Sequence, residues 1–157
     1  MKFCSCKSNK KLKVKAIKDL LRNYGDDVPE SDIRKITPQT LDEWVTRCDC
    51  NGNLVGAIRA KQTDWYLWTV KNGVVMRGLQ GKGIGTLLLK DIVKKSVGQG
   101  AKVLTADITF DNVKSQRMAK RIGFKRVSKF CWAKGQKPAN ILHYVLYPAT
   151  GNKCTRP

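Results

Sequence analysis

Alternating apolar and polar positions predict several β-strands in this chain. Two extended runs within residues 44–60 surround Asn51 and Gly52. Asn-Gly predicts a tight type I′ hairpin turn, because both residues tolerate a positive φ. A further extended run, aromatic and β-branched, covers residues 65–76 and leads into a glycine-rich segment.

Helical spacing predicts two helices in the second half of the chain. The first ends at Gly-Gln-Gly and has its apolar positions one or two turns apart: Leu87, Leu88, Ile92, Val93 and Val97. The second covers residues 111–124 and closes at Gly123. A strand at 102–110 separates the helices, and two strands follow them at 125–133 and 141–148. This order of elements predicts a mixed α/β domain.

The first 43 residues have a less regular pattern. Apolar positions alternate over 12–16 as in a strand and take helical spacing over 17–21, so we predict a strand that runs into a short helix. Residues 28–36 and 37–45 each begin with Pro or a small hydroxyl residue nearby, which predicts two further short helices.

The length of 157 residues allows one good core. We expect an arm at 1–10, one domain at 11–148 and a tail at 149–157. No apolar run reaches the roughly 18 to 20 residues that cross a bilayer, and the start of the chain lacks the apolar centre of a signal peptide. We therefore expect a cytoplasmic protein without a membrane partner.

The charge is strongly positive, with 31 Lys and Arg against 12 Asp and Glu and a net charge of +19. Such an excess attracts polyanions, so nucleic acid or a phosphate-rich ligand is a natural partner. A lysine-rich solvated surface is the alternative. The basic residues cluster in KSNKKLKVKAIK near the start and in KSQRMAKRIGFKR further on.

Six cysteines include two Cys-x-Cys pairs. A four-thiolate zinc site would use Cys4, Cys6, Cys48 and Cys50. Zinc sites more often use Cys-x2-Cys spacing, so we expect no metal and reduced cysteines that act as small apolar side chains.

Residues 80–86 read QGKGIGT and stand at the start of the first long helix. Glycines allow close backbone approach, and a helix N-terminus offers unpaired N–H groups and positive dipole charge. A Walker A loop is excluded because Lys82 is followed by Gly83, and a dinucleotide fingerprint from Gly81 would need glycine where Thr86 stands. The turn is nonetheless suited to a phosphate or pyrophosphate.

Two segments together resemble the GCN5-related N-acetyltransferases (GNAT). VVMRGLQGKGIGTLLLKDIV at 74–93 is similar to their acetyl-CoA-binding segment, with Gln80, Gly83 and Gly85 on its pattern. VLTADITFDNVKSQRMAKRIGFKRV, which follows at 103–127, looks like the next segment of the same family. The resemblance covers roughly residues 43–147. It implies a single-domain GNAT-like α/β fold, a mixed, mostly antiparallel sheet with splayed central strands flanked by helices.

By this resemblance, acetyl-CoA is the co-substrate and an amide near Val75 or Met76 steadies the oxyanion. The segment ending in Arg77 would pair with the pantetheine arm, and Lys82, Arg117 and Lys120 could meet phosphates. The implied cofactor-binding residues are Val75, Met76, Arg77, Gln80, Gly81, Lys82, Gly83, Ile84, Gly85, Thr86, Asn112 and Ser115.

The chain departs from the family at its catalytic positions. Ala119 stands where many relatives carry a Tyr that protonates the thiolate, so Tyr144, Ser115 or water would substitute. The usual acidic residue before the glycine turn is missing, which leaves Asp107 as the candidate base, or as a carboxylate that pairs with a nearby Lys.

The remaining aromatic and imidazole side chains have structural interpretations. Trp65, Tyr66 and Trp68 could stack bases or flank a substrate pocket, although strand aromatics more often belong to the core on one face and to the sheet surface on the other. His143 shows no paired carboxylate in the sequence, and a lone strand histidine is usually structural.

The leading hypothesis is an acetyl-CoA-dependent N-acetyltransferase that acts by direct transfer as a monomer or homodimer. Its positive charge favours an amine carried on an anionic or nucleic-acid-associated substrate. The alternative is a nucleic-acid-binding module with this fold and little catalysis, for which Ala119 is the argument.

Overall fold

The computed structural model describes residues 9–25, 28–134 and 137–148, without the side chains of 132–134 and 137–139. Its α-helices are α1 (Lys10–Tyr24), α2 (Glu30–Arg34), α3 (Ile84–Gly98) and α4 (Val113–Ile122). Its strands are β1 (Trp44–Cys48), β2 (Leu54–Gln62), β3 (Leu67–Val75), β4 (Val103–Thr109), β5 (Lys125–Lys134) and β6 (Lys137–Leu146). Two 3₁₀ helices lie at Pro38–Glu43 and Arg77–Leu79.

The strands form a six-stranded sheet in the order β1-β2-β3-β4-β6-β5. The pairs β1–β2, β4–β6 and β5–β6 are antiparallel. The predicted α/β class and the order of elements from the hairpin onward are therefore confirmed. The chain divides into two compact units: the first holds the described residues up to Lys61 with Val70–Ile92, and the second holds Gln62–Thr69 with those from Val93 onward.

The predicted opening strand is wrong, because α1 is one continuous helix from Lys10. The side chain of Asn9 caps it by accepting a hydrogen bond from the Lys11 N–H at 2.9 Å. Ile17, Leu20 and Leu21 are buried on one face, while Leu12 is 63% exposed. The apparent alternation over 12–16 thus reflects one helix turn with an exposed leucine. The two short helices predicted next are present as α2 and the first 3₁₀ helix.

The core of the first unit joins its helices to β1, β2 and the end of β3. Nine buried side chains form it: Ile17, Leu20, Leu21, Ile33, Ile36, Leu41, Trp44, Ala57 and Val74. Burial of such apolar surface is the main favourable term in folding. Two partly buried ion pairs, Arg59 with Glu43 and Arg47 with Asp91, lie in the same unit.

The β1–β2 hairpin forms where Asn-Gly predicted it, but its turn is not type I′. Asn51 has no positive φ, whereas Gly52 has a φ of 82°. The Gly52 N–H donates to the Asp49 carbonyl at 3.1 Å, and the Asp49 N–H donates to the Asn53 carbonyl at 3.0 Å. This is a three-residue loop with one left-handed glycine, and the Asp49 side chain organises it.

The Asp49 carboxylate should make hairpin stability depend on acid pH. Hydrogen bonds from Asn53, with further ones from the Asn51 and Gly52 backbone, lower the pKa of Asp49. A carboxyl group with a lowered pKa in the folded state stabilises above its unfolded pKa of about 3.9, and that contribution disappears as pH falls through the folded pKa. We expect Asp49→Asn to be less stable than the wild type at pH 7 and to converge with it toward pH 3. Urea unfolding at successive pH values measures this, and a constant difference across the range would contradict it.

The second unit pairs β4 and β5 with β6 and packs α4 on one sheet face. Leu104 lies opposite Leu146 and Ala106 opposite Tyr144 in the antiparallel register. Gly123 ends α4 as predicted, in the left-handed conformation with a φ of 105°. A β-carbon at Gly123 would lie 3.4 Å from a Leu146 methyl, which places the end of α4 over this face.

One of the cysteines expected to be reduced forms a disulfide bond. Cys4 and Cys6 lie outside the described residues, and Cys48 is disulfide-bonded, so the expectation of reduced cysteines is wrong at Cys48. A disulfide sulfur is not a thiolate, which also removes Cys48 from the zinc alternative.

Among residues 9–25, 28–134 and 137–148, every helix is too short or too polar to span a bilayer.

Candidate functional site

The glycine turn has the backbone conformation that requires glycine. Gly81 and Gly83 have φ values of 80° and 82°, a region that side-chain-bearing residues rarely adopt. A β-carbon at either position would meet no protein atom within 4 Å. The glycines are therefore needed for conformation rather than packing, and the space beside the turn is open to a ligand.

The turn leads directly into the N-terminus of α3. The first intrahelical hydrogen bond runs from the Leu87 N–H to the Gly83 carbonyl at 3.0 Å. The earlier N–H groups, those of Ile84, Gly85 and Thr86, have no acceptor within a helix that begins there. The helix dipole adds partial positive charge at this end. The first turn of α3 is therefore suited to an anion.

Gly56 on β2 seats the start of α3 against the sheet. A β-carbon at Gly56 would lie 2.9 Å from a Leu88 methyl and 3.2 Å from one on Ile84. It would also lie 3.3 Å from the Val74 carbonyl oxygen. Ile84 and Leu88 are each 1% exposed, so the helix has little freedom to retreat. The sequence did not mark this glycine, because only its contacts reveal the close approach.

Two hydrogen bonds fix the end of β3, one to β2 and one to the glycine turn. The Met76 N–H donates to the Val55 carbonyl at 3.0 Å, and the Gln80 side chain donates to the Val75 carbonyl at 3.3 Å. The Met76 amide is thus already engaged, which disfavours it as the expected oxyanion donor. Arg77 begins the 3₁₀ helix that follows and is exposed.

An irregularity in β3 lies three residues before Val75. Asn72 has a φ of 52° and is the only non-glycine residue with a positive φ in the part of the chain that the structure describes. Asparagine tolerates this conformation better than most residues, because its short side chain can hydrogen-bond locally. The strand therefore departs from regular β geometry at Asn72, just before the predicted site.

Asn112 and Ser115 come together at the start of α4. The Asn112 side chain accepts a hydrogen bond from the Ser115 N–H at 3.0 Å and so caps the helix. Both residues lie in the second unit, directly after β4. Ala119, at the position of the family tyrosine, is 2% exposed in the next turn.

The predicted base, Asp107, contacts a side chain that the sequence analysis set aside. His143 Nδ1 lies 2.6 Å from Asp107 Oδ1, and the two residues are paired across β4 and β6. The expectation that His143 has no paired carboxylate is wrong, and the partner of Asp107 is this histidine rather than a lysine. The strands were predicted correctly, but their order and register, which create the pair, were not.

Tyr144 and the aromatic residues before β3 have contrasting environments. Tyr144 is 0% exposed and stands opposite Ala106, on the sheet face opposite to that of His143. Trp65 lies before β3 and is 76% exposed. Trp68 is 6% exposed and belongs to the core. Trp65 and Tyr66 form an edge-on ring contact with centroids 4.9 Å apart.

Exposed basic residues are concentrated in one sequence segment of the second unit, which we call the α4–β5 basic segment. Residues 113–129 contain seven Lys or Arg and no Asp or Glu. All seven are exposed: Lys114, Arg117, Lys120, Arg121, Lys125, Arg126 and Lys129. Lys82 in the glycine turn is also exposed. The placement of these residues is compatible with contact to anions.

The family comparison matches residues 14–124 to a model described as the Acetyltransferase (GNAT) family. This span covers more than half of the chain and includes the glycine turn, β4 and α4. The chain belongs to the GNAT family. The predicted family and enzyme class, an acetyltransferase, are confirmed, and acetyl-CoA is the family's co-substrate. No curated protein is similar enough in sequence to match the chain.

Solved structures share the fold of this GNAT protein at low sequence identity. yncA from Salmonella typhimurium, solved with its cofactor acetyl-CoA, has 17% identity and a TM-score of 0.75 over 100% of this chain and 97% of its own. The ribosomal-protein-S18-alanine N-acetyltransferase from Escherichia coli has 13% identity and a TM-score of 0.73 over 99% and 98%. NAA60 from Arabidopsis thaliana, in complex with a bisubstrate analogue, has 15% identity and a TM-score of 0.73 over 93% and 98%.

Proposed function

We propose that the glycine turn and the first turn of α3 hold the pyrophosphate of acetyl-CoA. The observation that carries this proposal is the pair of left-handed glycines, Gly81 and Gly83, with open space beside them and a helix N-terminus directly after them. A pyrophosphate has the charge that this end of a helix stabilises. Lys82 is exposed next to the same turn and adds a positive charge.

The other cofactor residues are assigned by the same proposal. The backbone of Val75 and Arg77 pairs with the pantetheine arm, and the Gln80 side chain fixes the turn by its hydrogen bond to the Val75 carbonyl. Asn112 and Ser115 act through the α4 cap that they form. Acetyl-CoA supplies a thioester whose acetyl carbon is open to attack by an amine. The chain's part is to bind the phosphates, orient the arm and handle protons.

The acceptor in this proposal is an amine on an anionic or nucleic-acid-associated substrate. The net charge of +19 repels polycations and attracts polyanions. The α4–β5 basic segment contains part of that charge and has no acidic residue. One of the structural neighbours is named for a ribosomal protein substrate, which is consistent with an acceptor of this class. The cytoplasmic location stays a prediction.

Calorimetric titration tests both parts of the proposal. We expect acetyl-CoA to bind in the micromolar range. A short RNA duplex should bind more weakly than acetyl-CoA, and its affinity should fall as the salt concentration rises, because each neutralised phosphate contributes to the slope of log affinity against log salt concentration. Absence of acetyl-CoA binding would refute the site assignment. RNA affinity that does not change with salt concentration, or absence of RNA binding, would refute the proposal of a nucleic-acid-associated acceptor.

Two charge-reversal variants locate the RNA contact. The first changes Lys125, Arg126 and Lys129 to Glu, and the control changes Lys10, Lys11 and Lys15 on α1 to Glu. All six side chains are exposed, and both variants change the net charge equally. We expect the β5 variant to lose most RNA affinity and to reduce the salt slope by about 0.9 per lost phosphate contact. Equal losses in both variants would mean that RNA is attracted by the overall charge and not by the α4–β5 basic segment.

A further inference from the structure

Asp107 and His143 form a hydrogen-bonded pair that, as a pair, has no role in the mechanism predicted from the sequence. Nδ1 of His143 lies 2.6 Å from Oδ1 of Asp107, a short hydrogen-bond distance. The His143 side chain is 29% exposed and that of Asp107 is 49% exposed, so the pair is reachable from solvent without being fully hydrated. His143 is the single histidine of the chain.

The hydrogen bond determines which ring nitrogen can act as a base. An ionised carboxylate only accepts hydrogen bonds, so the proton between the two groups is carried by Nδ1 of His143. In the neutral imidazole, the Nε2 nitrogen then has the free lone pair. Asp107 also fixes the orientation of the ring and stabilises its positive charge when Nε2 gains a proton.

The pair belongs to a polar row on one face of the second unit. Thr69 at the start of β3 and Thr105 on β4 share a hydroxyl hydrogen bond of 3.1 Å, and Thr105 lies two residues before Asp107 on the same side of β4. The intervening residue, Ala106, is buried on the other side. Polar groups thus follow β4 on the face that carries His143, while the β6 neighbours of His143 on that face, Ile141 and Val145, are buried and apolar.

Few other charged residues stand opposite His143 on the two neighbouring strands. Asp107 faces it from β4, and Ser128 stands opposite on β5. Lys125 on β5 stands opposite Val145, two positions beyond His143 on β6. Asp107 is therefore the group placed to govern the tautomer of the imidazole.

We propose that His143 is the general base of acetyl transfer and that Asp107 is its positioning residue. The inference rests on the proposed function, since Asn112 and Ser115, assigned there to the cofactor, follow β4 in the same unit. The ammonium form of the acceptor gives one proton to His143 Nε2 and becomes a neutral amine whose lone pair can attack. The neutral amine would then form the amide C–N bond as the thioester C–S bond breaks, and its second proton would leave with the CoA thiol. The imidazolium, stabilised by Asp107, later releases its proton to water. Asp107 thus acts through the histidine and not directly on the amine.

Nitrogen NMR of the single histidine tests the role of Asp107. We expect the neutral imidazole of the wild type to carry its proton on Nδ1, and Asp107→Ala to lose this preference in favour of Nε2. Ser128→Ala is the matched control, because Ser128 stands beside His143 on the opposite strand, and it should leave the tautomer unchanged. An unchanged tautomer in Asp107→Ala would overturn the positioning role.

Cofactor titration of the same NMR signals tests whether His143 faces the reacting group. We expect acetyl-CoA and CoA, which differ only at the acetyl group, to shift the imidazole signals differently. Calorimetry in parallel separates the two possible failures. If acetyl-CoA binds and the imidazole signals do not respond, His143 is structural and the proposed function stands. If acetyl-CoA does not bind, the proposed function fails and this inference fails with it.

Kinetics with a short peptide that has a free α-amino group provides the third readout. We expect His143→Gln to lower kcat by roughly 100-fold or more with little change in the KM for acetyl-CoA, since general base catalysis contributes about 10²–10⁴-fold. Circular dichroism confirms that the variant is folded. A folded His143→Gln with wild-type kcat at every pH would overturn the proposal.

Discussion

Gly83→Glu is expected to abolish acetyl-CoA binding in calorimetric titration. Gly83 has a φ of 82° and stands where α3 begins, so a side chain there enters the open space assigned to the pyrophosphate. Like charges about 4 Å apart repel by about 4 kcal/mol at an effective dielectric constant of 20. Since every 1.4 kcal/mol is tenfold in affinity, the loss should exceed about 100-fold.

Gly100→Glu is the matched control for this substitution. Gly100 has a φ of 99°, a β-carbon there would also meet nothing within 4 Å, and it lies just beyond the opposite end of α3. The added charge and the left-handed strain are therefore the same, about 1–2 kcal/mol for the strain. Acetyl-CoA affinity should stay at the wild-type value in Gly100→Glu. Retained binding in Gly83→Glu would show that the pyrophosphate lies elsewhere.

Gly56→Val should destabilise the protein and weaken acetyl-CoA binding together. The valine methyl groups would enter the space of Leu88 and Ile84, whose side chains are buried and cannot retreat. Overpacking of this kind typically costs about 1–3 kcal/mol of unfolding free energy. Relief by movement of α3 would displace the glycine turn at its start. Denaturant unfolding and acetyl-CoA titration measure the two effects.

Gly73→Val, on β3 of the same unit, separates packing from the mere loss of a glycine. A β-carbon at Gly73 would meet Ile58 at 3.4 Å, which is ordinary van der Waals contact. The unfolding free energy of Gly73→Val should differ from that of the wild type by less than about 0.5 kcal/mol, as at most surface positions. If Gly56→Val and Gly73→Val behave alike, the close approach of α3 to β2 has no energetic importance.

The helices and strands from the hairpin onward follow from the sequence because their signals are local. Helical spacing and the closing glycine at Gly123 act within a few residues, and the structure has them as predicted. The first helix was misread, because an exposed Leu12 gave it an alternating pattern. The turn after β1 differed from prediction because Asp49 supplies hydrogen bonds that favour a longer loop.

The sequence by itself determined the family, the glycine turn and the basic character of this protein, since each depends on residue types at fixed spacing. Only the tertiary structure decided that Met76 already donates its amide, that Tyr144 is fully buried and that His143 pairs with Asp107. Residues 36 positions apart meet there because β4 and β6 are neighbours in one register. Strand order and register depend on the burial of side chains across the whole sheet, so they cannot be predicted from any short stretch of sequence.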